Sequence, residues 1–411
     1  MTQATTPLRE EDLPILDVSG ADFQRDPHPT IAQVRASGRF AFSRRGVEVL
    51  AHDDVITLLR DDRLVTQTHS TYESYGAGEM LRAFAHDGLL SAMQGERHDR
   101  IRRVFLAAFR ARLIEDERGR MRAVASRLTD QMLAAGLPLD LVEGFTSPYP
   151  MEVLCHLLGI PAADIPEFTA AATQLHLLAQ VPLAPGFPKI DAALRTLWDY
   201  CAELVAERRR RPQEDAISAL IQVQATAGRI TDSELVWNIA NLIFAGQDTT
   251  RYQLASSVRA ILEVPGLWDR MAGEPDLVRQ VAEETFRWYP VVNFVVRIPR
   301  EDVVYGGVEM RAGRRVILNF QAASRDPERF DEPFVFTPRP VGRNDRSFDA
   351  PFGLGMHYCL GAALARAEIQ EALGVLTSRL TGLAVDGELE MTAAAGMLHG
   401  PEAMPVTFRA R

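Results

Sequence analysis

The run Phe352-Gly353-Leu354-Gly355-Met356-His357-Tyr358-Cys359-Leu360-Gly361 constrains the fold more than any other stretch of the chain. It sets one cysteine among closely spaced glycines, directly before a helical pattern over 360–380. Glycine lets backbone pass where a side chain would collide with a large flat neighbour. A helix N-terminus aims amide N–H groups and partial positive charge at the sulfur, which favours the thiolate. Such a turn can hold a thiolate against a metal. An isolated cysteine reads more simply as a small buried hydrophobe, and the spacing of the glycines argues against that here.

Helical periodicity dominates elsewhere. Amphipathic patterns cover 97–109, 114–135, 190–210, 234–262, 276–289 and 361–380, whereas strand-like pieces are short, at 47–51, 303–305, 315–319 and 405–409. Breakers at 182–188 and Val264-Pro265-Gly266 separate helices within one domain. Thr231-Asp232-Ser233-Glu234 is a capping box that opens the longest pattern, on the order of 45 Å at helical rise. Its centre holds Ala245-Gly246-Gln247-Asp248-Thr249-Thr250. A glycine there costs about 1 kcal/mol relative to alanine, and buried Asp248 and Thr249 need partners. Taken alone, that segment reads as a helix kink with a satisfied Asp–Thr pair.

The 411 residues are 46% apolar and carry a net charge of −10, which supports a sizeable core and gives no footing to a nucleic-acid role. Cys155, Cys201 and Cys359 form no C-x-x-C pair or disulfide framework, as expected of a cytoplasmic protein. Cys155 and Cys201 lie in apolar helical patterns and read as small core residues. The first 20 residues have no secretory apolar region, and no run reaches the roughly 20 apolar residues of a membrane anchor.

The cysteine run fits every fixed position of F-G-x-G-x-H-x-C-x-G, the haem-ligand signature of the cytochrome P450 family, and the chain resembles that family over most of its length. The resemblance implies a mainly α fold with small β-sheets and a long central helix over a buried haem. It also implies a single haem-binding domain over 1–411, with no fused reductase. Cys359 would be the axial thiolate of haem b (iron protoporphyrin IX), with Phe352 beside it. A thiolate in that place pushes electron density toward bound dioxygen and favours O–O cleavage.

Other segments match in the expected order. Ala245 to Thr250 resembles the family's oxygen-binding segment A-G-x-[DE]-T-[TS]. By that match Ala245 and Gly246 would lie against the cofactor and leave room for dioxygen and substrate. Thr249 would donate a hydrogen bond to the dioxygen being activated and steady a water, and Asp248 would link that water to solvent, which is general acid chemistry. Glu284 and Arg287 match the E-x-x-R helix as a structural ion pair. His98 and Arg102 match an H-x-x-x-R propionate clamp, Arg297 a further propionate arginine, and His357 could also contact a propionate. The sequence departs from the family at Asp349, where a propionate histidine is common, and Arg346 could intervene. Either Arg339 or Arg343 would complete the Glu284/Arg287 network.

For the substrate, Asn241, Phe244 and Ala245 should face the distal cavity, and Val292, Asn293 and Val295 should form another wall. Leu89, Met93, Leu177, Leu178, Met397 and Leu398 are further candidates that also suit a core. Such a lining favours a mid-sized hydrophobic or partly polar organic substrate, such as a terpenoid, polyketide, aromatic or peptide-derived metabolite, with Asn241 and Asn293 orienting it. Electrons would come from a ferredoxin and its ferredoxin reductase. Arg100, Arg103, Arg110 and Arg112 would offer a basic landing site, or an ordinary solvated helix face. The expected activity is that of a monooxygenase, inserting one oxygen atom of O2 by hydroxylation or epoxidation. A peroxide-driven peroxygenase or a non-catalytic haem sensor would not need the intact Asp248-Thr249 segment.

Overall fold

The capping box at Thr231 forms as its sequence requires. Glu234 N donates to Thr231 Oγ1 at 3.1 Å, and Thr231 N donates to the Glu234 carboxylate at 2.9 Å. The helix Asp232–Leu262 starts there and is buried on nearly every side, as expected for a helix crossing the interior. The computed structural model describes residues 7–106, 111–179, 184–227, 230–340 and 350–411. Around the long helix pack Pro148–Leu158, Ile165–Gln174, Phe187–Arg210, Pro275–Trp288 and Ala362–Arg379. Ala362–Arg379 in turn lies along Ala111–Ala135. Together these helices bury the main apolar core.

Each helical pattern becomes a helix, with ends that follow local chemistry. The 190–210 pattern extends back to Phe187, because Pro188 is compatible with a first helical turn. The 97–109 pattern appears as Gly95–Leu106, and 107–110 fall outside the described residues. Cys155 and Cys201 are buried in the core, and burial pushes the Cys155 thiol up to about 12.

A five-stranded sheet stands beside this helical body. Its order is Phe40–Ser43, Gly46–Val49, Val316–Asn319, Phe294–Pro299, Leu64–Val65. Gly46–Val49 runs parallel to Val316–Asn319, with Val47 opposite Val316. Phe294–Pro299 pairs antiparallel on the other side, with Arg297 opposite Val316. Gly46 adopts φ 139°, and a Cβ there would stand 2.1 Å from the Arg315 carbonyl oxygen, so the turn requires glycine. Neither Phe40–Ser43 nor Phe294–Pro299 is apparent as a strand in the sequence. Neither alternates cleanly between buried and exposed positions, so the two-residue period is missing. A second sheet joins Leu139–Asp140, Pro405–Ala410 and Leu380–Val385. An isolated antiparallel bridge between Val292 and Leu398 brings the C-terminal segment back against the strand that carries Arg297.

Candidate active site

The cysteine loop is built by its glycines. Gly353 and Gly355 take φ 73° and 70°, which an L side chain rarely adopts. Cys359 N donates to the Phe352 carbonyl at 2.9 Å and closes the loop. The Phe352 ring is held between the Phe286 ring at 4.9 Å and the Arg366 guanidinium at 4.4 Å. Burial raises the Cys359 thiol, while the Gly361 amide, Arg102 and Arg366 pull it down. Cys359 is an exposed residue even though surrounding protein desolvates its thiol. Both hold for a residue that borders an internal concavity. Ala245 is the matching position on the long helix, exposed in the middle of a buried stretch. The helix that follows the cysteine loop, Ala362–Arg379, touches the long helix where Thr250 Oγ1 donates to Glu368 Oε2 at 3.4 Å.

A cationic wall adjoins the cysteine. His98 and His357 meet edge to face at 4.8 Å, and His98 Nε2 has no protein partner. Arg297 is buried and donates to the Val296 carbonyl at 3.1 Å; no carboxylate pairs with it among the described residues. Burial alone lowers it to about 10. His357 is lowered to about 3 by burial, with Arg297, His98 and Arg102 adding repulsion. Only Asp99, which bonds His98 Nδ1 at 3.0 Å, opposes this charge. A buried cation without an anion is costly, so the donor set fits a cofactor that brings carboxylates of its own. Haem propionates are such groups. Gln94 is a neighbour that the sequence did not flag: its amide lies 3.2 Å from His357 Nε2 and donates to Thr66 Oγ1 at 2.6 Å. Asp349, Arg346 and Arg343 lie outside the described residues.

On the long helix, Thr249 Oγ1 donates to the Ala245 carbonyl at 2.9 Å. Asp248 is buried, and burial raises its carboxyl, partly offset by Arg251 and His176. Arg251 Nη2 sits 3.1 Å from Asp248 Oδ1 and stacks on the Tyr252 ring at 4.3 Å. The contact is close but poorly aligned as a hydrogen bond, so Asp248 is ion-paired without being saturated. Arg251 follows the matched segment directly and was overlooked because arginine has no place in the motif. Gly246 behaves differently from expectation. A Cβ there would meet Leu154 Cδ2 at 2.8 Å, so its missing side chain serves contact with Pro148–Leu158.

Two adjacent glutamates tie the E-x-x-R helix to its neighbours. Arg287 donates to Glu284 from Nε at 2.9 Å and also from Nη2. Its remaining donors reach the carbonyls of Ser324, Pro333 and Val335 at 3.1, 3.0 and 2.8 Å, and Glu284 accepts from Thr337 N at 2.8 Å. Among the described residues, backbone groups join this network, and Arg339 lies beside Arg287 over the Phe330 ring. Glu283 instead takes Arg366 Nε at 3.0 Å, which links the E-x-x-R helix to the helix after Cys359.

The expected substrate walls need correction. Asn293 turns its amide nitrogen away from a ligand: it is buried, Nδ2 donates to the carbonyls of Ala394 and Gly396 at 3.0 and 2.9 Å, and Oδ1 alone has no partner among the described residues. Leu89 is buried in the main core. Asn241 and Phe244 are partly exposed, with the Phe244 ring 6.3 Å from Phe84. Val292, Val295 and Leu398 are also partly exposed, and the first and last are bridge partners. Arg100 turns inward to Glu234, with donations at 2.9 and 2.6 Å, and so leaves the suggested landing face. Arg110 and the Arg112 side chain lie outside the described residues.

Buried Arg297, with no carboxylate partner among the described residues, and an exposed cysteine in a glycine-built loop are the environment of a haem-thiolate protein. A family model described as Cytochrome P450 matches residues 168–382, which include the long helix and the cysteine loop. The chain is 35% identical over 366 residues to Mycinamicin IV hydroxylase/epoxidase of Micromonospora griseorubida, covering 88% of this chain and 89% of that one. It is 35% identical over 396 residues to Nocardicin C N-oxygenase of Nocardia uniformis subsp. tsuyamanensis, covering 93% and 96%. The crystal structure of CalO2 superposes with a TM-score of 0.87 at 27% identity, covering 97% of this chain and all but 1% of that one, at 99%. The chain belongs to the cytochrome P450 family. It is a haem-thiolate monooxygenase, an oxidoreductase that acts on an organic substrate with dioxygen and a redox partner. No helix among the described residues is long and apolar enough to cross a membrane.

Proposed function

We propose that the chain binds haem b through Cys359 and oxidises a mid-sized secondary metabolite, using electrons delivered by a ferredoxin and its reductase. The observation that carries this reading is the exposure of Cys359 and of Ala245, with the helix after the cysteine loop joined to the long helix at Thr250–Glu368. Bound there, thiolate-ligated haem supplies dioxygen activation, with one oxygen atom entering a C–H or C=C bond and the other leaving as water.

The chain's own residues do the rest. His98, Arg102, Arg297 and His357 would satisfy the propionates and gain the anions that they lack. Asp248, with its carboxyl raised by burial, holds a proton more readily than an exposed aspartate. Its neighbour Thr249 projects from the next position of the helix, so a water must bridge the two. The Thr249 hydroxyl can exchange its Ala245 acceptor for a group in the concavity without disturbing the helix. Relatives named for mycinamicin IV and nocardicin C support a secondary-metabolite substrate. Phe244, Val292, Val295 and Leu398 are the apolar lining proposed for it, with Asn241 as the polar contact.

Carbon monoxide added to the reduced enzyme should give the red-shifted Soret band of a thiolate-ligated haem. A Cys359→Ser variant that kept that band would overturn the ligand assignment. A panel of metabolites scored by the low- to high-spin shift of the ferric enzyme then tests the substrate class. Binding confined to fatty acids or to small aromatics would refute it.

A further inference from the structure

The segment Ala393-Ala394-Ala395-Gly396 takes no part in the chemistry above, yet its backbone is unusually well fastened. Three consecutive carbonyls, those of Ala394, Ala395 and Gly396, each accept a side-chain hydrogen bond from a buried residue. Asn293 Nδ2 supplies the outer two at 3.0 and 2.9 Å, and Arg45 Nη1 supplies the middle one at 3.2 Å. Asn293 N also donates to the Met397 carbonyl at 2.8 Å. Arg45 is itself fixed. Its Nε donates to Glu48 Oε1 at 2.8 Å, and its guanidinium lies 4.4 Å over the Phe294 ring. Glu48 is completely buried and held in turn by Ser43 at 2.7 Å and Asn319 at 3.1 Å. The clamp is therefore neutral, and it is anchored in the sheet.

What the clamp holds is one wall of a cavity. Ala393, Ala395, Gly396 and Leu398 line a cavity of about 350 Å³ that runs from exposed Gln24 and Arg44 to the buried Tyr252 on the long helix. Three of those four wall residues have a single side-chain carbon or none, so the wall stands where the backbone stands. Gly396 has little room to grow: a Cβ would meet the Ala393 and Leu398 carbonyl oxygens at 3.0 and 3.2 Å, and both would have to give.

We propose that Asn293 and Arg45 are positioning residues for substrate selection, fixing the 394–396 backbone and thereby the width available to a substrate passing Leu398. This inference rests on the reading that Leu398 borders the substrate site. Its test uses the haem-loaded enzyme and two ligands that bind ferric iron, imidazole and 1-dodecylimidazole, titrated spectrally. Imidazole would reach only the iron, whereas on this reading the dodecyl chain would run along the wall. Asn293→Ala should leave the imidazole Kd within about two-fold and raise that of 1-dodecylimidazole by about five-fold or more, since a loosened wall must be ordered on binding. Ala395→Leu leaves the clamp intact and should also weaken only the long ligand, which covers the case in which Asn293→Ala does not fold. Equal shifts for both ligands, or none in either variant, would overturn the proposal. Leu398→Phe separates the two readings. If it moves neither ligand, Leu398 does not border the site. If Leu398→Phe and Ala395→Leu weaken the long ligand while Asn293→Ala does not, the wall stands and the clamp alone is refuted.

Discussion

Glu368 shows how much a single buried group can govern. Burial raises its carboxyl to about 8, and the Thr250 hydroxyl is the one partner that opposes this. In the unfolded chain it ionises near its ordinary value of 4.5. Between those values the folded form keeps a proton that the unfolded form has lost, so stability falls as pH rises through that window and levels off above it. The slope is about 1.4 kcal/mol per pH unit for one proton. Glu368→Gln should remove this loss, and the variant's melting temperature should gain on the parent's from pH 5 to pH 8. A constant difference across that range would show that Glu368 does not titrate there. Thr249→Ala should spare the fold, because it removes only a back-bond to Ala245, but should divert electrons from product to released hydrogen peroxide. Unchanged coupling would rule out a proton-handling role for Thr249. At this scale the cysteine loop was legible because its glycines have one use together. Asn293 was not, since an asparagine between apolar residues looks the same whether its amide meets a ligand or a carbonyl.

Among elements, the E-x-x-R helix and the long helix answer to different forces. Arg287 is buried with Glu284 and spends its other donors on three backbone carbonyls of the segment leading to Val335. Arg287→Ala would leave an uncompensated buried carboxylate and should cost about 3–5 kcal/mol in denaturant unfolding. Arg287→Lys should rescue little, since one ammonium cannot reproduce a planar fork of donors. Thr231→Ala removes a cap at the end of a helix already secured by packing, so about 1 kcal/mol is expected by the same measurement. Helices were readable because amphipathic spacing persists for several turns, and the capping box marked the start of the longest. Phe294–Pro299 escaped notice because a strand held between two others, with mixed burial along its length, carries no alternation. That gap mattered for the site, since this strand carries Arg297.

Across the whole molecule, charge rather than apolar area decides what the protein needs in order to be complete. The positive groups facing His357 of the cysteine loop come from two separate parts of the chain: the helix Gly95–Leu106 and the strand Phe294–Pro299. Haem removal should leave them repelling one another. Hydrogen exchange in the haem-free protein should therefore quicken first around 95–106 and 350–362, before the core of Asp232–Leu262 responds. Uniform quickening across the long helix would mean that the cofactor supports the whole core. The contact between Gly246 and Leu154 has a consequence on another timescale. Alanine at 246 would press on Leu154 Cδ2, the far end of a buried side chain that must turn aside or shrink to admit it, and a smaller residue at 154 alone would leave a void. A side chain gained at 246 should therefore be accompanied during descent by a turned or smaller side chain at 154.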